Sequence, residues 1–191
     1  MSGDATRAVV IGASAGAIQA LSLILPELPG DFPWPVLIVV HIPADRDNIL
    51  APLFEQKCRM AVREAEDKEP ALPGTIYFAP PDYHLLVEAD GSLSLSTEEA
   101  VLYSRPSIDV LFESAADAFG DAVTAIVLTG ASADGAVGLR AICDAGGTAL
   151  IEEPETAYAD AMPRAAIAAC PSARVLTLEA IADHLMKDLS A

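Results

Sequence analysis

Three residues of this 191-residue chain are of the types that together perform acyl transfer: Ser14, His41 and Asp134. A serine hydroxyl is a weak nucleophile at neutral pH. It needs a base within hydrogen-bond reach, and an imidazole base needs a carboxylate that fixes its tautomer and stabilises its cation. Ser14 stands in Gly12-Ala13-Ser14-Ala15-Gly16, after the apolar run Ala8-Val9-Val10-Ile11 and before the helix-like residues 18–25. A strand, a small-residue turn and a helix form the context in which G-x-S-x-G acts as a nucleophile elbow, the glycines permitting the bend that exposes the hydroxyl. The same pentapeptide also serves as a plain strand-to-helix turn in which Ser14 packs or caps the helix. The partners decide between the two. Of the three histidines, His184 lies in the C-terminal helix as a surface or packing residue. His84 opens a hairpin and reads as a structural hydrogen-bonding group beside residues 80–83. His41 ends the buried run Pro35-Val36-Leu37-Ile38-Val39-Val40, the best position for a base.

The elements that must position these groups follow from hydrophobic pattern. Uncharged apolar runs at 8–11, 35–40 and 123–128 read as buried strands, and those at 75–79 and 148–151 as further short strands. Residues 60–65 read as a weaker strand and residues 174–177 as an edge strand. Helical spacing marks residues 18–25, 107–119, 136–145, 162–169 and 178–189, and residues 48–56 form a helix with Asp45 or Asp47 as its cap. Two short runs flanking Asp90-Gly91 make a β-hairpin, 84–88 with 93–96. The fold class is therefore α/β, a doubly wound and mainly parallel sheet with helices on both faces and one antiparallel hairpin. In such sheets ligands bind beyond the carboxyl ends of the strands, which is where Ser14, His41 and Asp134 all fall.

Composition narrows the function classes. With 28 acidic against 11 basic residues, the net charge of -17 opposes general nucleic-acid binding and docking on an anionic membrane. The uncharged stretch from Ala8 to Leu25 is split by Gly12 and Gly16 into a strand-sized and a helix-sized half. The preceding residues 1–7 carry one acid and one base, so neither a signal sequence nor a membrane span is expected. Cys58, Cys143 and Cys170 are odd in number and far apart, which indicates neither a disulfide framework nor a metal site and fits a reducing cytoplasm.

Six ordered motifs resemble the catalytic domain of the CheB family, the bacterial chemotaxis protein-glutamate methylesterases and glutaminases. They are Val10-Ile11-Gly12-Ala13-Ser14-Ala15-Gly16, Val40-His41-Ile42-Pro43, residues 74–84, residues 105–112, Leu128-Thr129-Gly130-Ala131-Ser132-Ala133-Asp134-Gly135-Ala136 and Met162-Pro163-Arg164-Ala165-Ala166-Ile167. The resemblance covers nearly the whole chain. It implies hydrolysis of γ-glutamyl methyl esters, and deamidation of certain glutamines, on the cytoplasmic helices of methyl-accepting chemotaxis receptors. It makes Ser14 the nucleophile, His41 the general base and Asp134 the carboxylate that orients it. The backbone N–H groups of Ala15 and Ala131 are the candidate oxyanion donors, and no metal or cofactor is required.

The chain departs from the family pattern at Ala15, where threonine is common, at Ala17, where a glycine is common, at Val40, where glutamine is frequent, and at Ala131-Ser132, where Met-Gly is frequent. These changes surround the triad without removing any member of it. Two rivals stand beside the esterase. One is a CheB-like interaction protein with reduced activity or another ester as substrate. The other is a phosphate- or nucleotide-binding module, although the turn is neither G-x-G-x-x-G nor a Walker A loop. An acidic enzyme facing acidic receptor helices needs local basic groups, for which Arg105, Arg140 and Arg164 are the candidates. The 191 residues read as one catalytic domain without the receiver domain that commonly precedes it in the family, so regulation would come from receptor docking or a separate receiver protein.

Overall fold

The strands that carry no charge become the centre of the molecule because their side chains are buried on both faces. The computed structural model describes residues 7–42, 45 and 47–189; the expectations for residues 1–6 and for Pro43 and Ala44 lie outside the described residues. In chain order the elements are β1 (Ala8–Ala13), α1 (Ala17–Ile24), β2 (Val36–Val40), α2 (Leu50–Glu55), β3 (Ala61–Glu64), β4 (Thr75–Phe78), β5 (His84–Val87), β6 (Leu93–Ser96), α3 (Ile108–Phe119), β7 (Val123–Val127), α4 (Ala136–Asp144), β8 (Thr148–Glu152), α5 (Ala161–Ala169), β9 (Arg174–Leu176) and α6 (Leu178–Asp188). Seven strands form one parallel sheet in the order β3-β4-β2-β1-β7-β8-β9, and β5 pairs with β6 in a separate antiparallel hairpin.

Successive residues of each central strand point to opposite faces, and two cores result. Val9, Ile11, Ile38, Ile76 and Ile126 pack with α1, α2 and α6 on one face. Val10, Leu37, Tyr77, Val127 and Ile151 pack with α3, α4, α5 and the hairpin on the other. The strand most hidden from solvent is β1, flanked by β2 and β7 in register, Gly12 standing opposite both Val39 and Val127. From β1 the chain moves outward to β2 on one side and later returns to β7 on the other. The carboxyl ends of β1, β2 and β7 thus border the point where strand order reverses, the expected place for a ligand cleft.

Two expectations are corrected. Neither Asp45 nor Asp47 caps α2: its N-cap is Ile49, which makes no side-chain cap bond, and the Leu50 N–H that opens the helix donates to Asn48 Oδ1 at 3.0 Å. Cys143 and Cys170 form a disulfide: α4 and α5 pack side by side, and their carboxyl ends bring two cysteines 27 residues apart in sequence to a Cα–Cα distance of 6.7 Å. Sequence separation hid that adjacency. Among the described residues no helix is long and apolar enough to cross a membrane.

Candidate active site

The Ser14 elbow is a turn held between two strands. Beyond β1 the Ser14 N–H donates to Thr129 O at 2.9 Å, and the Ala17 N–H donates back to Ser14 O at 3.0 Å. Gly16 follows with φ 85°, a left-handed conformation that lets the chain enter α1. Gly12, one turn earlier, has no room for a side chain, because a Cβ there would overlap Ile108 at the start of α3. This close approach brings the amino end of α3 against β1, next to the elbow.

His41 continues β2 by one residue, its N–H donating to Ala13 O at 3.2 Å, so its backbone is fixed beside Ser14. Its Nε2–H donates to Asp134 Oδ2 at 2.7 Å. With Nε2 protonated, Nδ1 is the nitrogen left with a lone pair. Ser14 and His41 share the wall of a cleft of about 580 Å³, with Ile18, Ile49 and Leu50 on its apolar side. Among the described residues no hydrogen bond joins Ser14 Oγ to the imidazole; such bonds are often long before substrate arrives and tighten on binding.

Asp134 is fully buried and its carboxylate accepts four hydrogen bonds. Oδ2 takes His41 Nε2–H and the Ile108 N–H at 2.7 Å, while Oδ1 takes Ser107 Oγ–H and the Asp109 N–H, both at 2.9 Å. Two of these donors are the first N–H groups of α3, so Asp134 caps a helix 26 residues away in the chain. Burial alone would raise this carboxyl; the bonds from His41, Asp109 and Ile108 together outweigh it and hold the group below the ordinary aspartate value. Asp134 is therefore an anion at neutral pH, fixed in place before any substrate binds.

Asp109 reciprocates. From the first turn of α3 its Oδ1 accepts the N–H groups of Gly135 at 2.9 Å and Gly138 at 2.7 Å, capping α4. Burial, only partly offset by the Gly138 N–H and reinforced by the Asp134 charge, pushes the Asp109 carboxyl up to about 6. His84 is structural: Nδ1 accepts from the Ser107 N–H at 3.1 Å and Nε2–H donates to Glu99 O at 2.9 Å. The hairpin is thereby tied to the Ser107 that serves Asp134. Sequence reading found neither the Asp109 cap nor the Ser107 bond, although both residues lie in a quoted motif, because their partners are distant in sequence.

The candidate oxyanion donors sit in the elbow itself, Ala15, and in the loop between β7 and α4, Ala131. Among the described residues neither the Ala15 nor the Ala131 N–H donates to a protein acceptor, which leaves both available to a ligand. The three arginines are all engaged. Arg105 spends Nε and Nη2 on Asp82 and Nη1 on the carbonyls of Thr97 and Glu98, in a second cleft that also borders His41. Arg140 pairs with Asp144, and Arg164 with Asp160 and Glu155. Exposed apolar side chains also border these clefts: Ile18 and Ile49 line the first beside Gln19 and Asp47, Tyr103 lines the second, and Tyr158 stands against Gly16. Among the described residues no group of three or more His, Cys, Asp or Glu is arranged to hold a metal ion.

Comparison with known proteins finds relatives of this chain. The family model of the CheB methylesterase matches residues 9–185. A Leptospira interrogans protein named for protein-glutamate methylesterase/protein-glutamine glutaminase activity is 48% identical over 95% of this chain and 94% of its own. A protein-glutamate methylesterase/protein-glutamine glutaminase of Carboxydothermus hydrogenoformans is 39% identical over 95% of this chain, which spans 55% of that longer protein. The crystal structure of the Thermotoga maritima CheB methylesterase catalytic domain superposes with a TM-score of 0.90 at 34% identity, covering 95% of this chain and 97% of the other.

Proposed function

The chain belongs to the CheB methylesterase family, and from that premise we propose that it is a serine hydrolase acting on γ-glutamyl methyl esters, with Ser14 as nucleophile, His41 as base and Asp134 as orienting carboxylate. The observation that carries this reading is the 2.7 Å bond from His41 Nε2–H to a buried, four-times hydrogen-bonded Asp134. A carboxylate so placed keeps the proton on Nε2, so that Nδ1 accepts the Ser14 proton as Oγ attacks the ester carbonyl. The tetrahedral oxyanion is held by the N–H groups of Ala15 and Ala131. The imidazolium returns the proton to the departing methoxide, methanol leaves, and a water activated by the same base releases the glutamate carboxylate. Deamidation follows the same steps with ammonia as the leaving group.

The substrates in this reading are the cytoplasmic helices of methyl-accepting chemotaxis receptors, met on the cytoplasmic side of the membrane, with a separate receiver protein as a candidate regulator. Membranes carrying methylated receptors, incubated with the purified chain, should release methanol in proportion to the enzyme added. Absence of methanol release with a receptor that a known methylesterase demethylates in parallel contradicts the proposal.

A further inference from the structure

Thr129 bonds to the elbow at two points, and a buried acid holds Thr129 in turn. Its carbonyl accepts the Ser14 N–H at 2.9 Å, and its Oγ1–H donates to Ala15 O at 2.8 Å. The same Oγ1 accepts the Ala159 N–H at 2.9 Å, which joins the loop before α5 to the elbow. Thr129 is itself almost entirely buried. Its N–H lies past the last β7–β8 backbone pair, Val127 with Ile151, so the sheet supplies no carbonyl for it. The side chain of Glu152 fills that place, Oε2 accepting at 2.7 Å. Glu152 is buried at the end of β8, and the triad chemistry makes no use of it.

The consequence is local and geometric. The dipeptide Ser14-Ala15 is pinned at its first N–H and its last carbonyl by one residue, while its central carbonyl, Ser14 O, is bound to the Ala17 N–H. In a planar trans peptide the N–H points opposite to the C=O. With Ser14 O turned toward the first turn of α1, the Ala15 N–H is aimed away from that helix and the peptide cannot rotate. We infer that Thr129, seated by Glu152, is a positioning residue that fixes the Ala15 N–H as an oxyanion donor and holds Ser14 Oγ at the cleft. This rests on the reading of Ser14 as the nucleophile.

The threonine hydroxyl has an isosteric deletion, Thr129→Val, and a conservative restoration, Thr129→Ser. The readouts are the rate at which a fluorophosphonate probe labels Ser14, which does not depend on the natural ester, and kcat and KM for methanol release. Losing one oxyanion donor outright costs about 10²–10³ in kcat; a misdirected one should cost about 10- to 100-fold. Thr129→Val, folded by circular dichroism, is expected to lower both labelling rate and kcat by that factor with KM changed less than about twofold. Thr129→Ser should recover most of the loss, which a merely structural role for the methyl group would not produce. If Thr129→Val does not fold, Glu152→Ala replaces it, with Glu152→Gln as its restoration because the amide oxygen still accepts the Thr129 N–H. A folded Thr129→Val or Glu152→Ala that labels and turns over like wild type overturns the inference, as does a folded Thr129→Ser as slow as Thr129→Val. Failure of the wild type to label at Ser14 is a different outcome: it removes the nucleophile assignment, and the inference falls with it.

Discussion

Replacing Asp134 by asparagine should damage folding and turnover by separate and calculable amounts. The carboxylate receives two donors on each oxygen, and an amide has only one acceptor oxygen. With that oxygen toward Ser107 and Asp109, the NH₂ group confronts the Ile108 N–H and His41 Nε2–H. With the amide turned over, it confronts the Asp109 N–H, and only the Ser107 hydroxyl can rotate to accept from it. Either orientation strands one buried backbone N–H, a cost of about 1–3 kcal/mol. Loss of the negative charge at the amino end of α3 adds about 0.3–1 kcal/mol. A destabilisation of about 1–4 kcal/mol is thus expected, a large fraction of a typical domain's roughly 5–15. In the folded fraction His41 loses its ionised partner and the tautomer preference that depends on it. In serine proteases the equivalent change lowers kcat by about 10⁴, and a fall of about 10³–10⁴ is expected here, smaller than for loss of Ser14 or His41. Urea denaturation gives the first quantity and methanol release under folding conditions the second. A folded Asp134→Asn protein with kcat within tenfold of wild type, or with unchanged stability, would refute the reasoning.

Three further outcomes are expected. The Asp109 carboxyl is raised to about 6 in the fold, above its value of about 3.9 in an unfolded chain. The folded state therefore binds the proton more tightly, and the stability linked to this group is present below about pH 4 and lost as pH rises through 6. Asp134 is shifted the other way, and its contribution is lost only at more acid pH. The urea midpoint of wild type should gain on that of Asp109→Asn between pH 7 and pH 5; a constant or narrowing gap contradicts the assignment. Tyr103 is fully exposed at the second cleft, which borders His41, and receptor contact is expected to use it: Tyr103→Ala should raise KM for methylated receptors about five- to tenfold, leave fluorophosphonate labelling unchanged and leave Tm unchanged. Finally, the 191-residue chain should turn over without a phosphodonor, acetyl phosphate neither stimulating it nor leaving aspartyl phosphate on it. Strong stimulation with stoichiometric incorporation contradicts that expectation.

The sheet was legible in the sequence because its central strands are buried on both faces and so read as unbroken β-branched runs. Ser14, His41 and Asp134 were legible as residues at the carboxyl ends of three such runs. What escaped was set by contacts between residues far apart in the chain. Nothing local announces that Asp134 caps α3 while Asp109 caps α4, since a cap is ordinarily sought just before its own helix. Ser107 occupies such a cap position, yet its hydroxyl is given to Asp134. Arg105 has the composition of a docking residue, and only the fold reveals that Asp82 and two carbonyls consume its guanidinium. The Cys143–Cys170 bond depends on α4 and α5 being neighbours, a fact of packing that cysteine spacing does not encode.

The central claim is that Ser14 attacks the ester and His41 takes its proton. Its most direct test is the initial rate of methanol release by wild type, Ser14→Ala and His41→Ala, each verified as folded by circular dichroism and thermal melting. Removal of a triad nucleophile or base costs as much as about 10⁶ in kcat, so both variants should lose nearly all turnover while the wild type consumes the methyl esters. Wild-type turnover by folded Ser14→Ala would contradict the account.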